Sequence, residues 1–317
     1  MPTQQQLKRL ISRRHPEYHC MHDQWKFMEQ TYEGGRGWFR DNIFKYYKEG
    51  DTEFEERVNR AYRFNHTREV VDLVNKYLFK ILPERSYDNA PEQLAEFWKS
   101  ATLTGDPIDA FIRQVSLRSS VFGRIYVVVD NNLPADVADN ISQREIDEYG
   151  VRCYTYMISR MSVLEFPLGE DGLFDWILIH ETVRDDSDPY SSSGQMRSRY
   201  RLWKRDSWEL YEVRKNNRSS PMPYILPVVQ EQLDDIKVVL IDSGANALGV
   251  VPVIAHEHIL GIDSVYSNPS LISDIAYLDR ACANYLSNLD AIIQDQTFSQ
   301  LTMPAQGVEI GSAEERR

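Results

Sequence analysis

Three cysteines in 317 residues, Cys20, Cys153 and Cys282, are few, odd in number and far apart. They cannot build a disulfide framework, and they fit a reducing compartment. Long apolar runs are also missing. The longest nearly apolar stretches, such as Leu248–Ala255, fall well short of the roughly 20 residues that span a bilayer. The opening MPTQQQLKRLISRR is polar and basic, with no apolar signal region. Without such a signal, the triplets Asn65-His66-Thr67 and Asn140-Ile141-Ser142 read as chance matches to the glycosylation pattern. Positive charge is in deficit: 36 Lys and Arg against 48 Asp and Glu leave a net −12, a field that repels polyanions. That argues against a protein that grips nucleic acid through its overall surface. It leaves open one that surrounds DNA without holding it. No internal repeat or low-complexity tract occurs.

What is present is ordinary globular material, with eighteen tyrosines and six tryptophans available for cores or interfaces. Residues 1–100 read as helical. After the basic arm, His15-Pro16 marks a break, Tyr18–Tyr32 carries a helical pattern, and Gly34-Gly35-Arg36-Gly37 ends it. A second helix runs from about Asn65 to Leu82, with a broad apolar face from Val70 to Ile81 and a stop at Pro83. Glu92–Ser100 and a segment from Asp106-Pro107 to about Phe122 follow. Gly123 then switches the period. Ile125–Val129 is a short apolar β-run buried on both faces. Further extended segments are expected at 152–157, 174–183, 200–203, 208–213, 237–241 and 250–254, with hairpin turns at Gly169–Gly172 and Arg205–Ser207. Asp185–Met196 reads as a polar loop, and Asn131–Gly150 as a polar insert with room for a short helix. Helices, then sheet, then one last helix give an α+β class, with a mostly antiparallel sheet.

Catalytic chemistry finds little support in the spacing. His15, His19 and His22 would share a helix face with Cys20 nearby, but Pro16 pushes His15 out of helical geometry. His256 and His258 flank Glu257 two residues apart after a β-run, whereas the zincin pattern needs two histidines four apart on a helix. Gly34-Gly35-Arg36-Gly37 lacks the strand before it and the Gly-Lys-Ser/Thr of a phosphate loop. Asp185, Asp186 and Asp188 lack the glycine and closing glutamate of a calcium loop. No nucleophile elbow and no cofactor fingerprint occurs. A metal-dependent hydrolase built on His15, His19 and His22, or on His256 and His258, is the enzymatic alternative. A non-catalytic α+β interaction module of some other assembly is another.

The most telling segment is the last helix, Asn268–Asp295, which has Asn268 as N-cap and Pro269 at the first helical position. Leu271, Ile275, Leu278, Cys282, Tyr285, Leu289 and Ile292 follow one another at spacings of four and three, the rhythm of a single apolar seam. Its polar positions carry Asp274, Asp279, Asp290 and Asp295 against one base, Arg280, which predicts an exposed acidic face. A seam of this length on a rod of roughly 40 Å is buried most naturally against neighbouring subunits.

The order of these elements resembles the portal proteins of tailed bacteriophages. The similarity runs through Trp25–Gly35, Glu56–Phe79, Ser120–Asp130, Leu248–Ile254 and Asn268–Asp290. These segments are similar to the helical opening, the helix beneath the wing, the passage into the wing sheet, the last wing strand and the first stem helix. The resemblance implies a helical wing part at 1–122, a β-rich wing at 123–262, a stem helix at 268–296 and the start of a clip at 297–317, reached through Thr302–Gly307. It implies a non-enzymatic ring, usually of twelve subunits, at one capsid vertex of the virion, assembled in the host cytoplasm. Double-stranded DNA passes through the ring without sequence readout. The implied partners are further copies of the chain, the terminase large subunit, the major capsid and scaffolding proteins, and a head-tail adaptor. In that arrangement the seam from Leu271 to Ile292 meets neighbours, and Asp274, Asp279, Arg280 and Asp290 face the channel. The family continues into a clip, a second stem helix and a crown. The end at Arg317 therefore reads as a truncation.

Overall fold

The structure, a computed structural model, describes residues 2–81, 83–86, 91–132, 150–186, 188–215, 236–259 and 268–298. Most of the polar insert, and the whole Thr302–Gly307 segment, lie outside the described residues. The chain is α+β, with antiparallel sheets and a long C-terminal helix. It divides into two units by contact: Met1–Glu33 with His66–Ala276, and Gly34–Asn65 with Tyr277–Arg317.

In the first unit, α1 (Gln4–Ser12) forms where the sequence offered only a basic arm. Thr3 and Gln6 cap each other reciprocally, and Leu7 and Ile11 turn inward. Helices α2 (Pro16–Glu33), α5 (His66–Leu78), α6 (Glu92–Lys99) and α7 (Ile108–Phe122) lie within one or two residues of expectation at their starts. Two sheets follow. The first has the order β2-β1-β8, from β1 (Arg124–Asn131), β2 (Cys153–Ile158) and β8 (Val253–Glu257). The second has the order β3-β4-β5-β6-β7. Its strands are β3 (Val163–Glu165), β4 (Trp176–Arg184), β5 (Met196–Lys204), β6 (Ser207–Lys215) and β7 (Ile236–Ala245). Strand β5 starts four residues before the expected Tyr200, because Met196–Arg199 pairs with Arg184–Glu181 and draws the polar segment into the ladder.

The fully apolar runs have a direct cause. Ile125 of β1 and Leu178 of β4 join a core with Leu7, Trp25, Met28 and Val115 of the helices. Their neighbours Tyr126, Val128, Ile177 and Ile179 join a second core with Phe166, Phe174 and Trp203. Strands covered on both faces cannot alternate polar with apolar. Arg160, in a short 3-10 turn (Arg160–Ser162), is buried over the Trp25 ring at 4.5 Å and donates to the Phe122 carbonyl at 3.2 Å. It ties α2 to the end of α7.

At that end sits Gly123, with φ at 76°. It caps α7 in a conformation that favours glycine, and a Cβ there would lie 2.3 Å from the Asn268 carbonyl oxygen. The contact corrects the expected start of the last helix. Asn268 is buried beside Gly123, and the Leu271 N–H donates to the Ser120 carbonyl at 2.9 Å. The helix, α8, therefore begins only at Ser273 and runs to Phe298. Gly123→Ala should cost about 2 kcal/mol or more, from strain at positive φ and from displacing Asn268. Urea unfolding reads this directly, and an unchanged midpoint would refute the close packing of Gly123 on Asn268.

Candidate assembly surface

The second unit contains α3 (Arg36–Asn42), α4 (Asp51–Arg60) and the Tyr277–Phe298 part of α8. Gly34 and Gly35, at φ 71° and 88°, make the break that leads into α3. Glu53 accepts from the Gly50 N–H at 3.1 Å and starts α4. The apolar centre is small: Trp38, Ile43, Val58, Ala61 and, from α8, Ala283, with Phe39 and Phe54 packed against them.

Polar bonds complete the packing. Arg57, only 4% exposed, donates from Nε and Nη2 to the two carboxylate oxygens of Glu49 at 2.7 and 2.8 Å. Its Nη2 also reaches the Phe44 carbonyl at 2.8 Å, and its Nη1 reaches Ser287 Oγ at 3.0 Å and Asn288 Oδ1 at 3.4 Å. These bonds hold the Glu49 carboxyl below the usual carboxylate range. Asn284 accepts from the Phe44 N–H and donates to the Asn42 carbonyl, both at 2.9 Å, closing the end of α3. Arg63 lies 3.9 Å over the Trp38 ring and 3.9 Å from Asp279. Arg60 stands 3.6 Å from Asp290.

The face of α8 that turns inward therefore carries Asp279, Ala283 and Ser287, with Asn284 beside it. Two of the four acids expected on an exposed face, Asp279 and Asp290, are thereby drawn in, while Asp274 and Asp295 stay exposed. Of the four residues expected to face a channel, Asp279 is buried at 6% exposure, and Asp290 is half-buried beside Arg60. Arg280 is half-buried with its guanidinium over Phe44 and Tyr277, and Asp274 alone of the four is exposed. Arginines of the same chain draw the acids in.

The apolar seam meets the opposite fate along most of its length. Leu271 packs against the helical core and Ile275 is half-buried. Leu278 (66% exposed), Cys282, Tyr285 (73%), Leu289 and Ile292 face solvent, with Ile293 alongside. Nearby Phe44, Tyr46 and Tyr47 are also exposed.

The histidine groups do not converge. The His15 ring stacks on Phe166, His19 meets Tyr18 edge-on, and His22 lies against Tyr18 and Asp23. His256 and His258 are pushed down toward the neutral form by burial, and His258 Nδ1 lies 3.4 Å from Ser120 Oγ. Among the described residues no group of three or more His, Cys, Asp or Glu is placed to hold a metal ion. A 520 Å³ cavity beside β2 is lined by Asp106, Phe111, Tyr154, Tyr156 and Met157. Its one carboxylate, Asp106, is held low by the hydroxyls of Thr104 and Thr102. No protein-family model matches the chain, and no curated protein matches it significantly.

Arg57→Met would strand Glu49 without its partner, and the expected loss of stability is about 3–5 kcal/mol, the usual cost of breaking a buried pair from one side. Glu49→Gln in that background should recover part of it. Because the folded Glu49 pKa lies below its unfolded value, the pair's contribution is full above about pH 4.3 and is lost as pH falls through the folded pKa. Denaturant unfolding between pH 3 and 7 tests both points; a Glu49→Gln single variant with an unaltered acid slope would refute the pairing.

Proposed function

We propose that the chain is a structural, non-catalytic subunit of a homo-oligomeric ring of the portal type, with α8 as the self-associating element. One observation carries the reading. Leu278, Tyr285, Leu289 and Ile292 form a continuous apolar stripe on solvent, while the opposite face of the same helix is satisfied by its own unit. Fully burying such side chains is worth about 1.5–3 kcal/mol each, so the stripe holds a large unused association energy. Soluble monomers rarely leave contiguous apolar patches of this kind uncovered.

The element order adds support, since helices, two antiparallel sheets and a long final helix follow the order of a portal wing and stem. In this reading, copies repeat around a channel for double-stranded DNA at a capsid vertex. The terminase large subunit, a head-tail adaptor, and the capsid and scaffolding proteins are the remaining partners. The net charge of −12 favours a polyanion that slides over binding that traps it.

Leu278→Asp and Leu289→Asp should each abolish association, because a carboxylate buried in an apolar contact goes unpaired. Both positions are exposed, so the circular dichroism spectrum and thermal midpoint of the unassociated protein should stay within error. Light scattering and negative-stain microscopy of the 317-residue chain and the two variants give the answer. Variants that associate like the parent would remove α8 as the assembly element.

A further inference from the structure

We infer that the contact between copies is head-to-tail, with the α8 stripe of one copy seated on the aromatic-basic loop Phe44-Lys45-Tyr46-Tyr47-Lys48 of the next. This inference rests on the assembly reading above and adds the second surface.

A stripe can be covered in two ways. It can meet the same stripe of a partner around a two-fold axis, which closes at a dimer. It can instead meet a different surface of the next copy, which closes only as a ring. The second arrangement requires one unit to carry two exposed, complementary surfaces on different flanks. This unit does.

The loop between α3 and α4 presents Phe44, Tyr46 and Tyr47 to solvent, with Tyr47 78% exposed. The Tyr46 and Tyr47 rings stand 4.6 Å apart, edge to face, and Lys48 lies over Tyr47. The loop backbone is fixed from beneath. Arg57 holds the Phe44 carbonyl, Asn284 holds the Phe44 N–H, and the Tyr46 N–H donates to Glu49. Its rings are therefore presented at little further ordering cost, the condition under which exposed tyrosines act as interface anchors.

The two surfaces lie apart. Phe44 is held by Arg280 and Asn284 of α8. At about 100° per residue these are turned roughly 120–160° around the helix from Leu278. The loop and the stripe thus belong to different flanks of one unit and cannot cover each other within a copy.

Their chemistry matches. In the loop Lys48 is exposed over Tyr47, Lys45 is paired with Asp51, and no acid lies between Phe44 and Lys48. The stripe is bracketed by exposed Asp274 and Asp295 and contains no lysine from Leu278 to Ile292. Aliphatic side chains against tyrosine rings, with an acid meeting Lys48 at the rim, make an apolar centre inside a polar edge.

Complementation between two broken copies provides the test. One variant, Leu278→Asp with Leu289→Asp, keeps the loop and loses the stripe. The other, Tyr46→Ser with Tyr47→Ser, keeps the stripe and loses the loop. Tyr47→Asp alone serves as a second loop variant, since that side chain stands in solvent beside Tyr46 and Lys48. Circular dichroism confirms that each is folded. Light scattering should show each variant alone as a monomer, with association weakened at least about tenfold. The equimolar mixture should form one-to-one heterodimers and nothing larger. If the loop variants associate as well as the parent, the stripe meets something other than the loop, and the head-to-tail contact is overturned while the assembly reading stands. If the mixture stays monomeric although the parent associates, the inference also fails. A parent that is itself monomeric overturns the assembly reading and this inference together.

Discussion

The guanidinium of Arg57 is taken out of water, and Glu49, Ser287, Asn288 and the Phe44 carbonyl surround it with acceptors. Two of those four groups belong to α8. The bond set therefore fixes which side of the helix faces α3 and α4. Turning α8 to bury Leu278 and Leu289 instead would recover about 1.5–3 kcal/mol for each large side chain. It would also take Ser287 and Asn288 from Arg57 and Asp279 from Arg63, and leave the Asn42 carbonyl and the Phe44 N–H unmet, at about 1–3 kcal/mol for each buried group left unsatisfied. The terms are of similar size within one chain. Association would remove the conflict, because a second copy can cover the stripe while the first keeps every polar bond.

The same arginine joins the two surfaces of the unit. It shapes the loop by holding the Phe44 carbonyl, and it orients the stripe by holding Ser287. Glu49 contributes at both ends, pairing with Arg57 and accepting from the Tyr46 N–H. A loop that presents three aromatic rings with its backbone anchored loses little conformational freedom on contact. Unit packing and presentation of the surface are consequences of one charge cluster.

This arrangement also explains what was legible in the sequence. Helices α2, α5, α6 and α7 and the apolar strands were readable because their inward positions are apolar and periodic, and Pro16, Gly34 and Gly123 punctuate them. Helix α1 carried a signal that the basic residues obscured, the Thr3 to Gln6 capping pair. Helices α3 and α4 were hidden for a physical reason. Their buried positions include Asn42 and Arg57, so hydrophobic periodicity finds no face. In α8 the seam residues from Leu278 to Ile292 are exposed, whereas Leu271 and Ile275 at its start turn inward. The acidic face was misread because sequence position cannot reveal that Arg63 and Arg60 reach Asp279 and Asp290.

That misreading bears on how a polyanion would be treated. With Asp279 buried and Asp290 beside a cation, α8 presents few free carboxylates. The net −12 is therefore carried by the molecule at large and not by a wall on this helix. At physiological ionic strength fixed charges act over about 8 Å. In a ring of such subunits, repulsion at the bore would come from whichever elements approach it within that distance. Asp274, the one exposed acid among the residues expected to face a channel, stands at the start of α8, in the part of the helix that belongs to the first unit. The apolar stripe begins one turn later at Leu278, so this acid stands at the edge of any contact that α8 makes between copies and not along its centre.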